Sequence, residues 1–433
     1  MKGDRMKRIV LLCLTALFLC ACVPTPETEP IVQHENRRNT ISFESLSLQI
    51  ENHISRDPVV LGQASVRIDA DVYLPTEGDF GTVETEQRPF SKETVQKVLH
   101  YFAHEQPLYY AWEESKEEAF QNLVDFQAIV TDAESDQMKL EYLKEQFESA
   151  PAEVEHIPFY LDREDIDLSG GLHIFSGDTE QGYFLFSPEL LSYNIDRTLT
   201  IQPEKAWDPE DVLERSAPSI SRKDAEQIAI KTVSDLGIDS FALLEDMTSE
   251  CVISRLNRTV EWGYRLIFTP KIGNIPCLYA DSAAMWQRAL PSITAPWRYE
   301  TITVYVGQRG VMGFVWAQPA VYHTSDGKDA FLPFDEMLDL MQNQLLYIFS
   351  AGTEIEISKE STYSVTVDQI KLVRGTIQRK DVFTVGENVP LWEIRFTVWL
   401  TDTPSETHNL YFLASDGTYV EPRFTYQDIG NMD

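Results

Sequence analysis

The chain has 433 residues, of which 43% are hydrophobic and 11% aromatic, and this is enough apolar material for a sizeable core and two domains. Its 36 Lys and Arg against 69 Asp and Glu give a net charge of −33, which repels phosphate backbones and anionic membrane surfaces. Composition therefore excludes a wholly disordered chain and argues against nucleic acid as a partner. With three of the five cysteines near the amino terminus, a disulfide scaffold is also excluded.

The amino terminus predicts a signal peptide. Four basic residues between Lys2 and Arg8 precede the apolar run 9–19, which is too short to cross a bilayer. The next residues, Leu19-Cys20-Ala21-Cys22, resemble a bacterial lipobox, in which the cysteine sulfur takes a diacylglycerol before cleavage. We expect residues 1–21 to be a lipoprotein signal peptide and Cys22 to carry the lipid that holds the protein on the extracytoplasmic face of the cell membrane. An ordinary secretory signal that ends in cysteine is the alternative.

The rest of the chain divides by composition into four parts. Residues 22–40 are rich in proline and poor in apolar residues, which predicts a disordered tether. Residues 41–201 form a predicted amino-terminal α+β domain, 202–220 a linker with three prolines, and 221–425 a carboxy-terminal α+β domain.

Local patterns predict the main elements of both parts. Residues 65–75 alternate between apolar and polar side chains, as in a half-buried strand. Ser91 and Ser221 are predicted N-caps of amphipathic helices, and Gly237 is the predicted end of the second one. Further helices are predicted over 115–129, 134–149 and 334–348, a hairpin over 171–187, and strands over 261–269, 275–280, 301–306, 311–316, 364–374, 391–400 and 409–413.

The order of these elements predicts the fold class. In the second half a helix, several strands, a helix and several strands follow one another, which indicates two copies of one helix-plus-sheet unit. We therefore expect an α+β protein of two domains, with helices packed on antiparallel sheets.

Several of these stretches resemble an uncharacterised family of lipoproteins from Gram-positive bacteria that share a domain of unknown function. The stretches that carry the resemblance are Asp69–Pro75, Pro89–Ser91, Tyr264–Phe268 with Ile275-Pro276, Ile302–Val306 with Gly310, and Leu332–Phe334. More distantly, the helix that follows Ser221 resembles the opening helix of PepSY-type domains and of YycI-like extracytoplasmic regulators. This resemblance implies a binding role toward envelope enzymes or sensor kinases.

Two sets of residues are candidates for metal binding. His100 and His104 are four residues apart on a predicted helix, a spacing that can hold one zinc ion, but Tyr101 stands where a zincin would need glutamate. Asp165 and Asp167 begin a segment that matches the first six positions of a calcium loop, but position 12 is Ser176 rather than a bidentate carboxylate. A solvated helix face and an acidic turn are the alternatives, and we predict no metal or cofactor.

Two further pairs have structural and functional interpretations. Cys251 and Cys277 are either a disulfide between neighbouring strands or two buried apolar side chains. Trp286 and Trp297 lie in a proline-flanked loop region, where exposed aromatic rings would suit a peptide, glycan or protein ligand. We find no catalytic signature, because neither cysteine has a histidine close in sequence and no Gly-x-Ser-x-Gly motif is present.

These observations favour a non-catalytic binding or regulatory protein that is anchored to the membrane through Cys22 and acts on another cell-envelope protein or peptide. Two alternatives stay open. The many carboxylates could include the acid pair of an envelope hydrolase. A solute-binding lipoprotein would require alternating βαβ patterns around a hinge, which the sequence does not show.

Overall fold

The computed structural model describes residues 40–62, 64–76, 78, 80–110, 115–128, 130, 134–152, 157–160, 171–176, 182–196, 199–203, 217–255, 258–279, 299–324, 330–350, 363–379, 382–400 and 403–420. The helices in these ranges are α1 (Phe43–Ser47), α2 (Lys92–Ala103), α3 (Lys116–Gln127), α4 (Glu134–Ser149), α5 (Arg222–Asp235) and α6 (Phe334–Ser350), with a 3-10 helix at Glu245–Met247. The first ten strands are β1 (His53–Leu61), β2 (Ala64–Tyr73), β3 (Val83–Gln87), β4 (Leu108–Tyr110), β5 (Leu172–Ser176), β6 (Gly182–Ser187), β7 (Leu190–Asn194), β8 (Leu199–Pro203), β9 (Phe241–Leu243) and β10 (Ser249–Arg255). The others are β11 (Arg258–Ile272), β12 (Ile275–Pro276), β13 (Thr301–Gly307), β14 (Gly310–Ala317), β15 (Ala320–Thr324), β16 (Tyr363–Arg379), β17 (Val382–Leu400), β18 (Thr403–Leu413) and β19 (Tyr419–Val420).

One eight-stranded sheet, the outer sheet, joins the two ends of the chain. Its strand order is β1-β2-β16-β17-β18-β19, and β3 pairs with both β15 and β17. Every pairing is antiparallel except that of β2 with β16, which is parallel. Helix α6 packs on this sheet and buries Met337, Met341 and Leu345 against it. The first core therefore combines side chains from both ends of the sequence.

The second sheet, the inner sheet, has eleven strands. Its order is β4-β5-β6-β7-β14-β13-β11-β10-β8, with β9 and β12 also paired to β11. Helices α2 and α5 pack on it and bury residues such as Val98, Phe102 and Ala229 in a second core with Val304 and Phe314. All of its strands lie between residues 108 and 317. The inner sheet is therefore nested in sequence between β3 and β15 of the outer sheet.

Strand pairing runs across the predicted domain boundary. Strand β8 ends at Pro203, at the start of the predicted linker 202–220, and pairs with β10 on the far side of it. Strand β2 belongs to the predicted domain 41–201 but pairs with β16 in the predicted domain 221–425. Both sheets take strands from either side of residues 202–220. The structure therefore divides into an outer unit made of both chain ends and an inner unit made of the middle of the chain.

The α+β class is confirmed, as are several local patterns. In β2, Val66 and Ile68 are fully buried while Arg67 is exposed, as the alternation predicted. The side chains of Ser91 and Ser221 accept hydrogen bonds from the third residue after each, at 3.1 Å in both cases. These caps satisfy amide groups that the first helical turn leaves without partners.

Strand β1 is the end strand of the outer sheet and pairs with β2 alone among the described strands. Its register shifts between Arg56 and Val59, next to Pro58. The side chains of Val59, Val60 and Leu61 are 43%, 66% and 52% exposed. No helix in the described ranges is both long and apolar enough to cross a membrane.

Candidate functional site

A groove of about 530 Å³ lies between the outer and inner units, and we call it the inter-sheet groove. The inner unit contributes residues 243–247 around the 3-10 helix and residues 275–279 after β11. The outer unit contributes the end of β2 at 73–75 and residues of β16 and β17. Apolar side chains such as Leu244, Met247 and Leu278 stand beside a few charged ones. An apolar pocket with a small number of polar groups is typical of a ligand site.

A buried polar network fixes the two units to each other behind the groove. Arg374 of β16 has no exposed surface, and its Nε donates to Asn388 Oδ1 at 2.6 Å. Asn388 Nδ2 donates in turn to Cys277 Sγ of the inner unit at 3.5 Å. The backbone N–H of Leu278 donates to the carbonyl of Arg374 at 2.6 Å. Since buried polar groups are costly without partners, this network holds both walls of the groove in one arrangement.

The charged groups of the groove belong to a cross-strand pair. Lys371 of β16 and Glu393 of β17 are register partners. Lys371 Nζ lies 2.5 Å from Asp246 Oδ2 on the 3-10 helix, so this ion pair joins the units at the groove. Glu393 Oε1 accepts hydrogen bonds from Tyr411 Oη at 3.1 Å and Asn409 Nδ2 at 3.2 Å. Burial raises the pKa of Glu393, although Lys371 and Tyr411 oppose the shift.

A second pocket, of about 300 Å³, contains a buried carboxyl group. Glu300 is only 6% exposed, and its Oε1 accepts a hydrogen bond from Trp316 Nε1 at 3.0 Å. Burial raises the pKa of Glu300 to about 8, although hydrogen bonds from Trp316, Tyr322 and the backbone of Ala320 lower it. Glu300 is therefore largely neutral at pH 7, a state in which a carboxylic acid can donate a proton.

This second pocket does not contain the acid pair that glycoside hydrolysis requires. Glu300 is the one carboxyl group among the described residues that line it, and the charged side chains beside it are Lys97 and Lys271. A glycosidase needs a second carboxyl group on the other side of the scissile bond. The geometry of the pocket therefore gives the hydrolase alternative a candidate acid but no base or nucleophile to act with it.

The two histidines do not form a helical pair. Helix α2 ends at Ala103, and His104 follows it in the left-handed conformation with φ of 49°. His100 and His104 are both exposed. No group of three metal-ligating side chains occurs in the part of the chain that the structure describes. The predicted i, i+4 geometry is lost because helix α2 ends immediately before the second histidine.

The two described cysteines are free and buried. Cys251 lies on β10 opposite Gly263, and Cys277 lies opposite Arg374 of the outer sheet. The structure does not join them in a disulfide, so of the two interpretations it shows two buried side chains. Burial raises the pKa of each thiol to about 12. Neither is a nucleophile at neutral pH, since the thiolate is the reactive form.

The remaining predicted site residues lie outside the described residues. They are the lipidation site Cys22, the calcium-loop candidates Asp165 and Asp167, and the aromatic candidates Trp286 and Trp297.

No motif in the sequence distinguishes Lys371, Glu393 or Glu300 as a site residue. Lys371 and Glu393 lie on strands that were predicted, but nothing local distinguishes Glu393 from the other 68 acidic residues. The one sequence pattern that bears on them is the alternation of apolar and polar residues in 364–374 and 391–400. It predicts a charged side chain on one face of each strand. Only the register between the strands shows that these two side chains are neighbours.

No protein-family model matches the chain, and no curated protein matches it. Several solved structures are similar to it, and two of them follow. An uncharacterised protein from Eubacterium rectale matches with a TM-score of 0.44 and 11% identity, over 89% of this chain and 99% of that one. The YpeB C-terminal domain of Bacillus megaterium matches with a TM-score of 0.31 and 11% identity, over 77% of this chain and 97% of that one. At these scores neither similarity assigns a family or a function to the chain.

Proposed function

We propose that this chain is a lipid-anchored extracytoplasmic protein that binds and regulates another cell-envelope protein without catalysing a reaction. The observation that carries the proposal is the inter-sheet groove, which lies between two sheets joined by hydrogen bonds and an ion pair and combines apolar walls with a few charged groups. A segment of a partner protein can insert there because the groove offers both buried apolar contact and fixed polar partners. The lipobox-like segment that ends at Cys22 supports the anchored location.

Photo-crosslinking in living cells tests this function. A photoreactive benzoylphenylalanine replaces Met247, which is 39% exposed at the groove. The matched control carries the same group at Ile230, which is 49% exposed on α5 and does not line the groove. We expect irradiation to link position 247, but not position 230, to one envelope protein. Deletion of the chain should then change the activity of that protein.

Two results would contradict the proposed function. One is the same set of crosslinked proteins from both positions, which would mean that the groove has no specific partner. The other is a specific partner whose activity and abundance do not respond to deletion of the chain, which would leave no regulatory effect.

A further inference from the structure

The face of the outer sheet toward the inter-sheet groove carries an ordered row of polar side chains. Lys371 pairs in register with Tyr73 of β2 on one side and with Glu393 of β17 on the other. Glu393 in turn pairs with Tyr411 of β18. Side chains at paired positions of neighbouring strands lie on the same face and contact one another. The row Tyr73-Lys371-Glu393-Tyr411 therefore crosses four adjacent strands, and its first three members line the groove.

The two charged members of this row have different bonding partners. Lys371 pairs with Asp246 of the inner unit, and the described residues show no ion pair between Lys371 and Glu393. Both hydrogen bonds to Glu393 go to Oε1, and no described residue donates to its Oε2. The groove lining as a whole contains three carboxylates, those of Glu245, Asp246 and Glu393, and one ammonium group. A ligand that fits this lining brings positive charge to Glu393.

We propose that the occupant of the inter-sheet groove is a polypeptide segment of the partner protein that places a lysine or arginine side chain against Glu393 Oε2 and apolar side chains against Leu244, Met247 and Leu278. The inference rests on the proposed function and names the chemistry of its partner. A charge-assisted hydrogen bond to a partly buried carboxylate is stronger than one between neutral groups. The apolar walls explain why the ligand is a peptide segment rather than a small cation.

The raised pKa of Glu393 is consistent with this assignment. Burial disfavours its charged form, and a bound cation would restore that form by compensating the lost solvation. Binding of a cation should therefore favour loss of the carboxyl proton.

The test compares two capped tripeptides on the full-length protein in detergent micelles. The probes are acetyl-Leu-Arg-Leu-amide and acetyl-Leu-norleucine-Leu-amide, which differ in charge but have a similar apolar content. Binding is followed by NMR of the methyl groups of Met247 and Ile275, both of which line the groove. We expect the arginine peptide to bind about tenfold more tightly than the norleucine peptide, as one charged hydrogen bond would give.

Three variants sharpen the test. Glu393→Gln should abolish the preference for arginine. Glu387→Gln removes a charge from the same strand at a position that does not line the groove, so it should keep the preference. Lys371→Met should strengthen binding of the arginine peptide because it frees Asp246. Lys371→Met is expected to raise the affinity for the arginine peptide, whereas Glu393→Gln is expected to lower it. The proposal can therefore still be tested if Glu393→Gln does not fold.

The proposal fails if the two peptides bind equally, if neither binds, or if Glu393→Gln keeps the arginine preference. It also fails if arginine amide alone binds as tightly as the tripeptide, because the apolar walls would then contribute nothing. None of these results would affect a specific crosslink from position 247, so failure of the proposal and failure of the proposed function are distinguishable.

Discussion

Val66 and Val365 are register partners on the parallel strands β2 and β16, although about 300 residues separate them in the sequence. Both side chains are fully buried in the core under α6. The outer sheet therefore needs both ends of the chain before it can form. The inner sheet needs neither end, because all its strands lie within 108–317.

This difference predicts how fragments behave. Fragment 88–319 contains the whole inner sheet with α2 and α5, and we expect it to unfold in urea in one cooperative transition. Fragment 215–433 lacks β2, the parallel partner of β16, and β7, the partner of β14, and we expect it to show no cooperative transition. Circular dichroism during a urea titration measures both. A cooperative transition in fragment 215–433 would contradict the nested arrangement.

The buried carboxyl group of Glu300 predicts a pH dependence of stability. The unfolded chain loses this proton near the ordinary value of 4.5, whereas the folded chain keeps it up to about pH 8. Unfolding between these values releases a proton, so the free energy of unfolding falls as pH rises, by up to about 1.4 kcal/mol per pH unit. Glu300→Gln should remove this contribution to the dependence of the free energy of unfolding on pH. Denaturation at several pH values measures it. The exposed control Glu148→Gln should keep it, and equal slopes in all three proteins would refute the assignment.

His53 is predicted to titrate above its ordinary value of 6.5. Its Nδ1 lies 2.9 Å from Asp71 Oδ1 and its Nε2 lies 3.2 Å from Asp69 Oδ1. The hydrogen bond to Asp71 is the main cause of the raised pKa. The stability that this link between β1 and β2 contributes is therefore fully present below pH 6.5. It is lost as pH rises through the raised pKa of His53 in the folded protein. In an NMR titration, Asp71→Asn should lower the pKa of His53 more than Asp69→Asn does, and the reverse order would be inconsistent with the geometry.

The thiols of Cys251 and Cys277 are predicted to resist alkylation in the folded protein. With a pKa of about 12 for each, only about one thiol in 10⁴ is ionised at about pH 8. Iodoacetamide should modify neither cysteine in the native protein and both in concentrated guanidinium chloride, as peptide mass spectrometry would show. Rapid modification of either in native conditions would mean that its strand opens readily.

Anchoring through Cys22 is predicted to depend on its thiol. Without an acyl acceptor, a chain with a net charge of −33 has little affinity for an anionic membrane surface. Cys22→Ala should therefore move the protein from the detergent phase to the aqueous phase in phase-separation experiments. The control Cys20→Ala should stay in the detergent phase, and retention of Cys22→Ala there would disprove lipidation at this residue.

The sequence predicted those parts of the fold that depend on near neighbours. The cap of α2 at Ser91 and the alternation of β2 follow from hydrogen bonds and side-chain periodicity over a few residues. The pairing of β2 with β16 depends on residues far away, and nothing in either strand identifies the other. The boundary at 202–220 was placed by proline content, which reports a local break but not whether strands on its two sides pair.

The candidate site was less predictable than the fold. Histidines and cysteines attract attention in a sequence because they are few and chemically distinctive, yet His100 is exposed on a helix and Cys277 is a buried thiol. Glu393 is one acid among 69 and gains its role only from burial and from Lys371 beside it. Burial and cross-strand register are properties of the assembled sheets, so residue type alone does not reveal them.

The end strand β1 also bears on whether two copies of this chain join through their sheets. A sheet edge that no other described strand covers, with exposed apolar side chains such as Val60, invites pairing with the edge of a second molecule. Pro58 has no N–H to donate, and the register shift between Arg56 and Val59 interrupts the line of the strand. A neighbouring chain would find no continuous nine-residue template in His53–Leu61. These two features of β1 therefore disfavour its pairing with the sheet edge of a second copy.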